Sequence, residues 1–341
     1  MALFKRRSRK ASVNLALQGG GAHGAYTWGV LDALLTDETL NFEGISGTSA
    51  GAMNAICLAQ GWMEGGREGA RRALTRFWET VAARSPFSSG NGNGEVPSLP
   101  PALQMMLKWT EYLAPAQFNP FDLNPLRDIL DEQIDFAGLR RHAPCELFIA
   151  ATHANSGKLK IFRNAELSTD AILASACLPT LHHTIVIDGE PFWDGGYSAN
   201  PAIFPLVHDC RSDDILLVLL APLHYGQTPA SASDIRHRLQ EIAFNNTFLR
   251  EMRMFAHMQQ RLGSRWLSLA KLDRQLRNCR FHGISAGETL GELPFASKLT
   301  AESAFLRKLH DQGQAHGQGW LSEHRAAVGR EASLDLSALF Y

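Results

Sequence analysis

An α/β fold with a mostly parallel central sheet is predicted by the first sixty residues of the chain. Two short apolar runs, Val13 to Leu17 and Phe42 to Ile45, each break into a glycine-bearing turn, and each turn opens a helix. A βαβα start of this kind closes as parallel strands joined by right-handed crossovers. A third run, Ile215 to Leu220, is apolar at every position, as strands buried on both faces tend to be. With 341 residues, 45% of them hydrophobic and 20% charged, the chain can bury a sizeable core.

The elements follow in order. Ser12 to Gln18 is the first strand, broken by Gly19-Gly20-Gly21-Ala22-His23-Gly24. The helix after it runs from Ala25 to about Leu35, with Trp28, Leu31, Leu34 and Leu35 at helical spacing. The second strand leads into Gly47-Thr48-Ser49-Ala50-Gly51 and a small-residue helix to about Gln60; Arg67 to about Val81 is another helix. Ser85 to Pro101 changes to Ser, Gly, Asn and Pro, a flexible insertion rather than a domain linker. Leu103 to Leu113 behind it is apolar around most of its circumference. Such a helix belongs in a core, or it serves as a lid that meets acyl chains or a membrane interface.

Leu123 to Ile134 is helical, with Asn124 or Asp122 as N-cap. Cys145 to Thr152 and Lys158 to Phe162 are partner strands joined through Asn155-Ser156-Gly157, and Thr169 to Cys177 is a short helix. Thr184 to Asp188 and Pro191 to Asp194 form a hairpin across Asp188-Gly189-Glu190. From Ser233 onward the pattern is mainly helical. A long helix spans about Ile235 to Leu262, a basic one Leu267 to Arg277, and closing helices cover Ala301 to Leu309 and Gln314 to Ala327. Arg280 to Ile284 reads as a last strand.

Composition removes several function classes. A net charge of −1 offers no field for nucleic acid. Cys57, Cys145, Cys177, Cys210 and Cys279 are scattered without a Cys-x-x-Cys pair, against a zinc site and a disulfide framework and in keeping with a reducing, cytoplasmic setting. Lys5, Arg6, Arg7, Arg9 and Lys10 precede an apolar run too short for a signal peptide. They read as a solvated tail, or at most an auxiliary electrostatic anchor on anionic lipid. No apolar run approaches the length of a membrane span.

The chemistry concentrates in three places. Gly47-Thr48-Ser49-Ala50-Gly51 between strand and helix has the form of a nucleophile elbow. In such a turn a strained serine projects its hydroxyl towards a base and oxyanion donors. Gly19, Gly21 and Gly24 also fit the dinucleotide fingerprint, but that reading wants an acid at the end of the second strand, where Ile45-Ser46-Gly47-Thr48-Ser49 has none. Consecutive glycine N–H groups at a helix N-terminus instead make an anion nest, with Gly20 and Gly21 as donors and Gly19 shaping the turn. The base is sought in Trp193-Asp194-Gly195-Gly196-Tyr197, because Asp194 ends a strand while Asp188 sits at a hairpin tip. A serine on the second strand disfavours the α/β-hydrolase order.

Taken together, the glycine loop, the elbow and Asp194-Gly195-Gly196 stand in an order that resembles the patatin-like phospholipase family over roughly residues 13 to 205. The resemblance implies a three-layer α/β/α fold and lipid acyl-ester hydrolysis through an acyl-enzyme. It implies a dyad of Ser49 and Asp194 and an oxyanion hole from Gly19, Gly20 and Gly21, with Gly24, Gly47, Gly51, Gly195 and Gly196 in support. No metal or cofactor is called for. The expected partner is a lipid substrate, reached in the cytoplasm or peripherally at a membrane. The implied organisation is a basic tail over 1–11, a catalytic domain over 12–230 and a helical extension over 231–341 packed on it. His23 departs from the family's frequent Arg or Lys in the loop, and His182 and His183 are the histidines nearest to the aspartate for a conventional triad. The competing readings are a nucleotide-binding protein and a non-catalytic lipid-binding module.

Overall fold

Strand β1 (Ala11–Leu17) occupies the middle of an eight-stranded sheet because both of its faces are apolar. Val13, Leu15 and Leu17 enter one hydrophobic core and Ala16 the other. β7 (Asp214–Leu219) beside it splits the same way, with Leu216 and Val218 in the first core and Ile215, Leu217 and Leu219 in the second. The period of two thus feeds a core on each side of the sheet. The computed structural model describes residues 11–85, 114–263 and 271–340. Most of the basic tail, the Ser/Gly/Asn/Pro insertion from residue 86 and the helix expected at Leu103 to Leu113 lie outside the described residues.

The strand order is β5-β6-β3-β2-β1-β7-β8, with β4 paired to β3. β2 (Leu40–Thr48), β3 (Glu146–His153) and β8 (Arg280–Ser285) run parallel to their central neighbours. β4 (Leu159–Arg163), β5 (Ile185–Ile187) and β6 (Glu190–Asp194) are antiparallel additions. The hairpin β5–β6 turns on Asp188 and Gly189, both with positive φ (52° and 82°), the geometry of a tight two-residue loop.

Helices cover both faces. The first core draws on α1 (Gly24–Leu34), α2 (Ala50–Arg84), α3 (Pro125–Gln133) and α4 (Phe136–His142). It also takes in α5 (Thr169–Ser175) and α9 (Ser303–His324). The second is closed by α6 (Phe204–Asp209), α7 (Ala232–Gly263), α8 (Lys271–Asn278) and α10 (Leu336–Phe340). The architecture is the expected three-layer α/β/α sandwich.

One detail of the pairing positions the site. β2 pairs with β3 as far as Thr48↔Ala150, and the next residue of β3, Ala151, pairs with Asp194 of β6. Ala151 also pairs with Lys160 of β4, so β4 occupies the opposite edge of β3. β2 and β6 therefore meet end to end along a single edge of β3. The residue that follows β2 and the last residue of β6 are brought together by register alone.

Some boundaries differ from expectation. The two helices expected at Ala50–Gln60 and Arg67–Val81 are present as the two arms of α2, on either side of a kink at Gly65 and Gly66, where φ is −166° and +60°, with the first arm longer than expected. The two closing helices are a single α9, since Gly313 does not break it but lies against the Tyr26 carbonyl of α1. Asn124, not Asp122, caps α3, its side chain accepting from Leu126 N–H at 3.2 Å. α4 and α6 were not expected. Among the described residues no helix is long and apolar enough to cross a membrane, and all five cysteines are buried thiols.

α1 and α9 approach through glycines on both sides, so a Cβ at Gly29 would overlap the His310 carbonyl and one at Gly313 the Tyr26 carbonyl. Gly313→Val is expected to lower stability by about 1–3 kcal/mol, as overpacking does, read as a drop in urea midpoint with unchanged slope.

Candidate active site

Ser49 sits where β2 turns into α2, with φ 54° and ψ −120°. That region suits glycine and strains an L-residue by about 1–3 kcal/mol. The surroundings enforce it. Ser49 N–H donates to Ser175 Oγ at 2.9 Å, and its carbonyl accepts the first α2 bond from Met53 N–H at 3.1 Å. The flanking glycines have no room for a side chain: a Cβ on Gly47 would lie 2.6 Å from the Gly51 carbonyl oxygen, and one on Gly51 would overlap the Leu17 carbonyl. The strained elbow read from the sequence is present in the backbone.

Asp194 is only 1% exposed. Its main chain is fixed on both sides, N–H to the Cys177 carbonyl at 2.8 Å and carbonyl accepting from Thr152 Oγ1 at 2.8 Å. Its carboxylate accepts from Gly196 N–H at 2.7 Å, and the neighbouring Ser49 side chain favours its charged form. Burial pushes the Asp194 carboxyl up to about 7, and Gly196 and Ser49 offset only part of the rise. Gly195 and Gly196 permit the approach, since a Cβ on the former would overlap the Ala150 carbonyl and on the latter the Phe244 ring.

The glycine loop lies against the elbow. A Cβ on Gly19 would come within 2.7 Å of the Thr48 carbonyl oxygen and 2.8 Å of Ser49 Cβ. Gly24 approaches Ala50 in the same way, its would-be Cβ 2.6 Å from that of Ala50. Gly19 N–H donates to Asn200 Oδ1 at 2.7 Å, which commits it structurally. Gly20 and Gly21 then lead into the short 3-10 turn Gly21–His23 that opens α1, where a helix leaves its first N–H groups for outside acceptors. Gly21 has φ +59°, a conformation glycine adopts without strain.

His23 is buried and bonded through Nε2 to Ser297 Oγ at 2.7 Å. Burial, then the charge of Lys298, hold it down to about 3, so the ring is neutral at physiological pH. His183 contacts the Asn119 carbonyl at 2.8 Å, and burial lowers His182. Among the described residues neither histidine bonds Ser49 or Asp194.

Several site neighbours escaped the sequence reading. Asn200 follows the aspartate motif closely yet carries no motif of its own. Gln18 at the end of β1 accepts from Leu220 and Ala221 N–H at 2.6 and 2.8 Å, and its amide donates to Asn245 Oδ1 of α7 at 3.0 Å. A polar residue closing the strand at its glycine-loop end was the available signal. Phe244 of α7 covers the Asp194 turn and packs on Tyr197, ring centroids 4.5 Å apart. A groove of about 710 Å³ between α1, α2 and α9 holds no residue of this site. Its arginines face acids, Arg71 with Asp32 at 2.6 Å and Arg307 with Glu79 at 2.7 Å.

Residues 15–207 match the family model described as Patatin-like phospholipase. No curated protein matches the chain. Among solved structures it is similar to VipD from Legionella pneumophila, at 17% identity over 92% of this chain and 67% of that one, with a TM-score of 0.46. It is also similar to the type III effector protein ExoU, at 18% identity over 93% of this chain and 54% of that one, with a TM-score of 0.34. This chain thus spans about two thirds of the length of the first and about half of the second. The family match covers more than half of the residues and includes the glycine loop, Ser49 and Asp194, and the chain belongs to the patatin-like phospholipase family.

Proposed function

We propose that the protein is a serine acyl hydrolase that cleaves fatty-acyl esters of phospholipids or lysophospholipids, with Ser49 as nucleophile and Asp194 as its base. The observation that carries this reading is that the strained Ser49 lies beside a carboxylate that burial has pushed to about 7. A surface aspartate is too weak a base to activate a serine near neutral pH. At about 7, Asp194 has the base strength that imidazole supplies in a triad, so a histidine relay is unnecessary.

The steps balance with these groups alone. Asp194 takes the Ser49 proton as Oγ bonds to the ester carbonyl carbon, and negative charge builds on the carbonyl oxygen. The N–H groups of Gly20 and Gly21 receive that charge. The bond to the leaving oxygen breaks, Asp194 returns its proton there, and the lysolipid or alcohol departs from an acyl-Ser49. Water then gives a proton to Asp194 and attacks the acyl carbon, the bond from that carbon to Ser49 Oγ breaks, Asp194 returns the proton to Oγ, and the fatty acid leaves. His23, neutral and tied to Ser297, supports the loop without contributing a cation.

Ser49→Ala is expected to abolish fluorophosphonate labelling and to lower kcat/KM on a phospholipid by on the order of 10⁴-fold or more. Undiminished hydrolysis by both Ser49→Ala and Asp194→Ala proteins would sink the dyad. Because only the ionised carboxylate accepts a proton, kcat/KM should climb with pH and reach half its plateau near the Asp194 value of about 7. A pH profile flat from about pH 5 to about pH 8 contradicts this.

The same shift has a consequence for stability. Asp194 in the folded chain keeps its proton up to about 7, whereas an unfolded aspartate loses it near its ordinary value of 3.8. Between these limits the native state binds more protons, so stability is full below the lower value and falls as pH rises through the upper one. Asp194→Asn removes the buried charge. The variant should melt several degrees above wild type at about pH 8 and close to it at about pH 4, by differential scanning calorimetry.

A further inference from the structure

One short stretch of chain, Asp194 to Asn200, touches every part of the site. Asp194 carries the carboxylate beside Ser49. The Ala199 carbonyl accepts from Thr48 Oγ1 at 2.9 Å, which ties the stretch to the residue before Ser49. Asn200 Oδ1 accepts the Gly19 N–H at 2.7 Å, which ties it to the glycine loop. Ala199 N–H in turn donates to the Gly195 carbonyl at 2.8 Å and keeps the stretch compact. The spacing of base, elbow and loop is therefore set within a few residues.

Asn200 is buried, and a second buried amide holds it. Gln18, the residue after β1, donates from Nε2 to the Asn200 carbonyl at 3.4 Å and to Asn245 Oδ1 of α7 at 3.0 Å. Its Oε1 is taken by the N–H groups of Leu220 and Ala221, just beyond β7, at 2.6 and 2.8 Å. Backbone N–H groups can only donate, so an amide oxygen has to face them, and this settles which way Gln18 and Asn200 are turned. A buried network whose members are satisfied stiffens what it holds. The loop needs that stiffness: Gly19, Gly20 and Gly21 allow the close approach to the elbow, but successive glycines supply no rigidity of their own.

We propose that Asn200 is a positioning residue of the acyl-transfer site: by holding the Gly19 N–H it fixes the Gly20 and Gly21 donors where the oxyanion forms, with Gln18 and Asn245 holding Asn200 in place. The inference rests on the acyl-hydrolase reading above and adds the device that aligns its oxyanion donors. Asn200 acts through Gly19 and touches no reacting atom. Donors fixed before the substrate arrives stabilise charge that develops only in the transition state, so the contribution falls on turnover and not on substrate binding. Asn245 makes α7 part of the same alignment, since its side chain is the acceptor that keeps the Gln18 amide turned towards Asn200.

The test is steady-state hydrolysis of p-nitrophenyl butyrate by the full chain across a range of pH. Asn200→Ala should lower kcat by on the order of 10²-fold and leave KM within about twofold of wild type. Its pH profile should keep the wild-type midpoint, because the base is untouched and only the oxyanion donors are loosened. Asn245→Ala lies outside the catalytic motifs and removes an acceptor from Gln18; it should lower kcat by about threefold to tenfold. Asn245→Asp keeps an oxygen in that place and should restore the wild-type rate. Wild-type kcat in Asn200→Ala, a KM that rises as far as kcat falls, or a displaced midpoint overturns the proposal. Where Asn200→Ala does not fold, the Asn245 pair decides: wild-type kcat in Asn245→Ala, or equal losses in Asn245→Ala and Asn245→Asp, overturns it. A wild-type protein without esterase activity overturns the acyl-hydrolase reading and this inference together, whereas an active wild type matched by its Asn200→Ala variant overturns this inference alone.

Discussion

A carboxylate stripped of water is the constraint around which this molecule is arranged. Moving such an ion out of solvent costs several kcal/mol even after relaxation, and Asp194 recovers only part of this through Gly196 N–H and Ser49. What keeps it in place is the sheet. β3 offers one edge to both β2 and β6, and the register on that edge leaves Asp194 one position beyond Thr48. The strain at Ser49 and the crowding at Gly195 and Gly196 are further costs of the same junction. The cooperative core of two helical layers supports all three.

The C-terminal third, which contributed no motif, is built into this arrangement. β8 extends the sheet beyond β7, and α9 packs along α1, the helix opened by the glycine loop. The short 3-10 turn Phe295–Leu299 comes back to that loop, where Ser297 holds His23 and the Lys298 carbonyl presses on Gly21. α7 reaches the other side through Phe244 and Asn245. Ser49 and its turn lie in one stretch of chain, but the walls around them come from residues separated by well over a hundred positions.

Legibility followed sequence distance. The elbow was readable because its demands are local: two glycines, a strand before, a small-residue helix after. The place of Asp188 was readable for the same reason, since it does sit at a hairpin tip with positive φ. The commitment of Gly19 was not, because its N–H answers to Asn200, 181 residues away. Nor was the continuity of α9. Gly65 and Gly66 interrupt α2 while Gly313 sits inside α9, and the difference lies in what packs against each glycine rather than in the glycine itself.

The sequence by itself determined the order of strands and helices near the N-terminus, the strained serine turn, the neighbouring glycine loop and the aspartate motif. Each of these is set by φ/ψ preference or apolar periodicity over a few residues. Only the tertiary structure decided that β2 and β6 share an edge, that His23 is neutral and tied to Ser297, and that the Asp194 carboxyl is raised to about 7. Those properties depend on desolvation. Removing water from a side chain takes the whole fold, with both cores and the C-terminal helices in place, and no local stretch of residues encodes it.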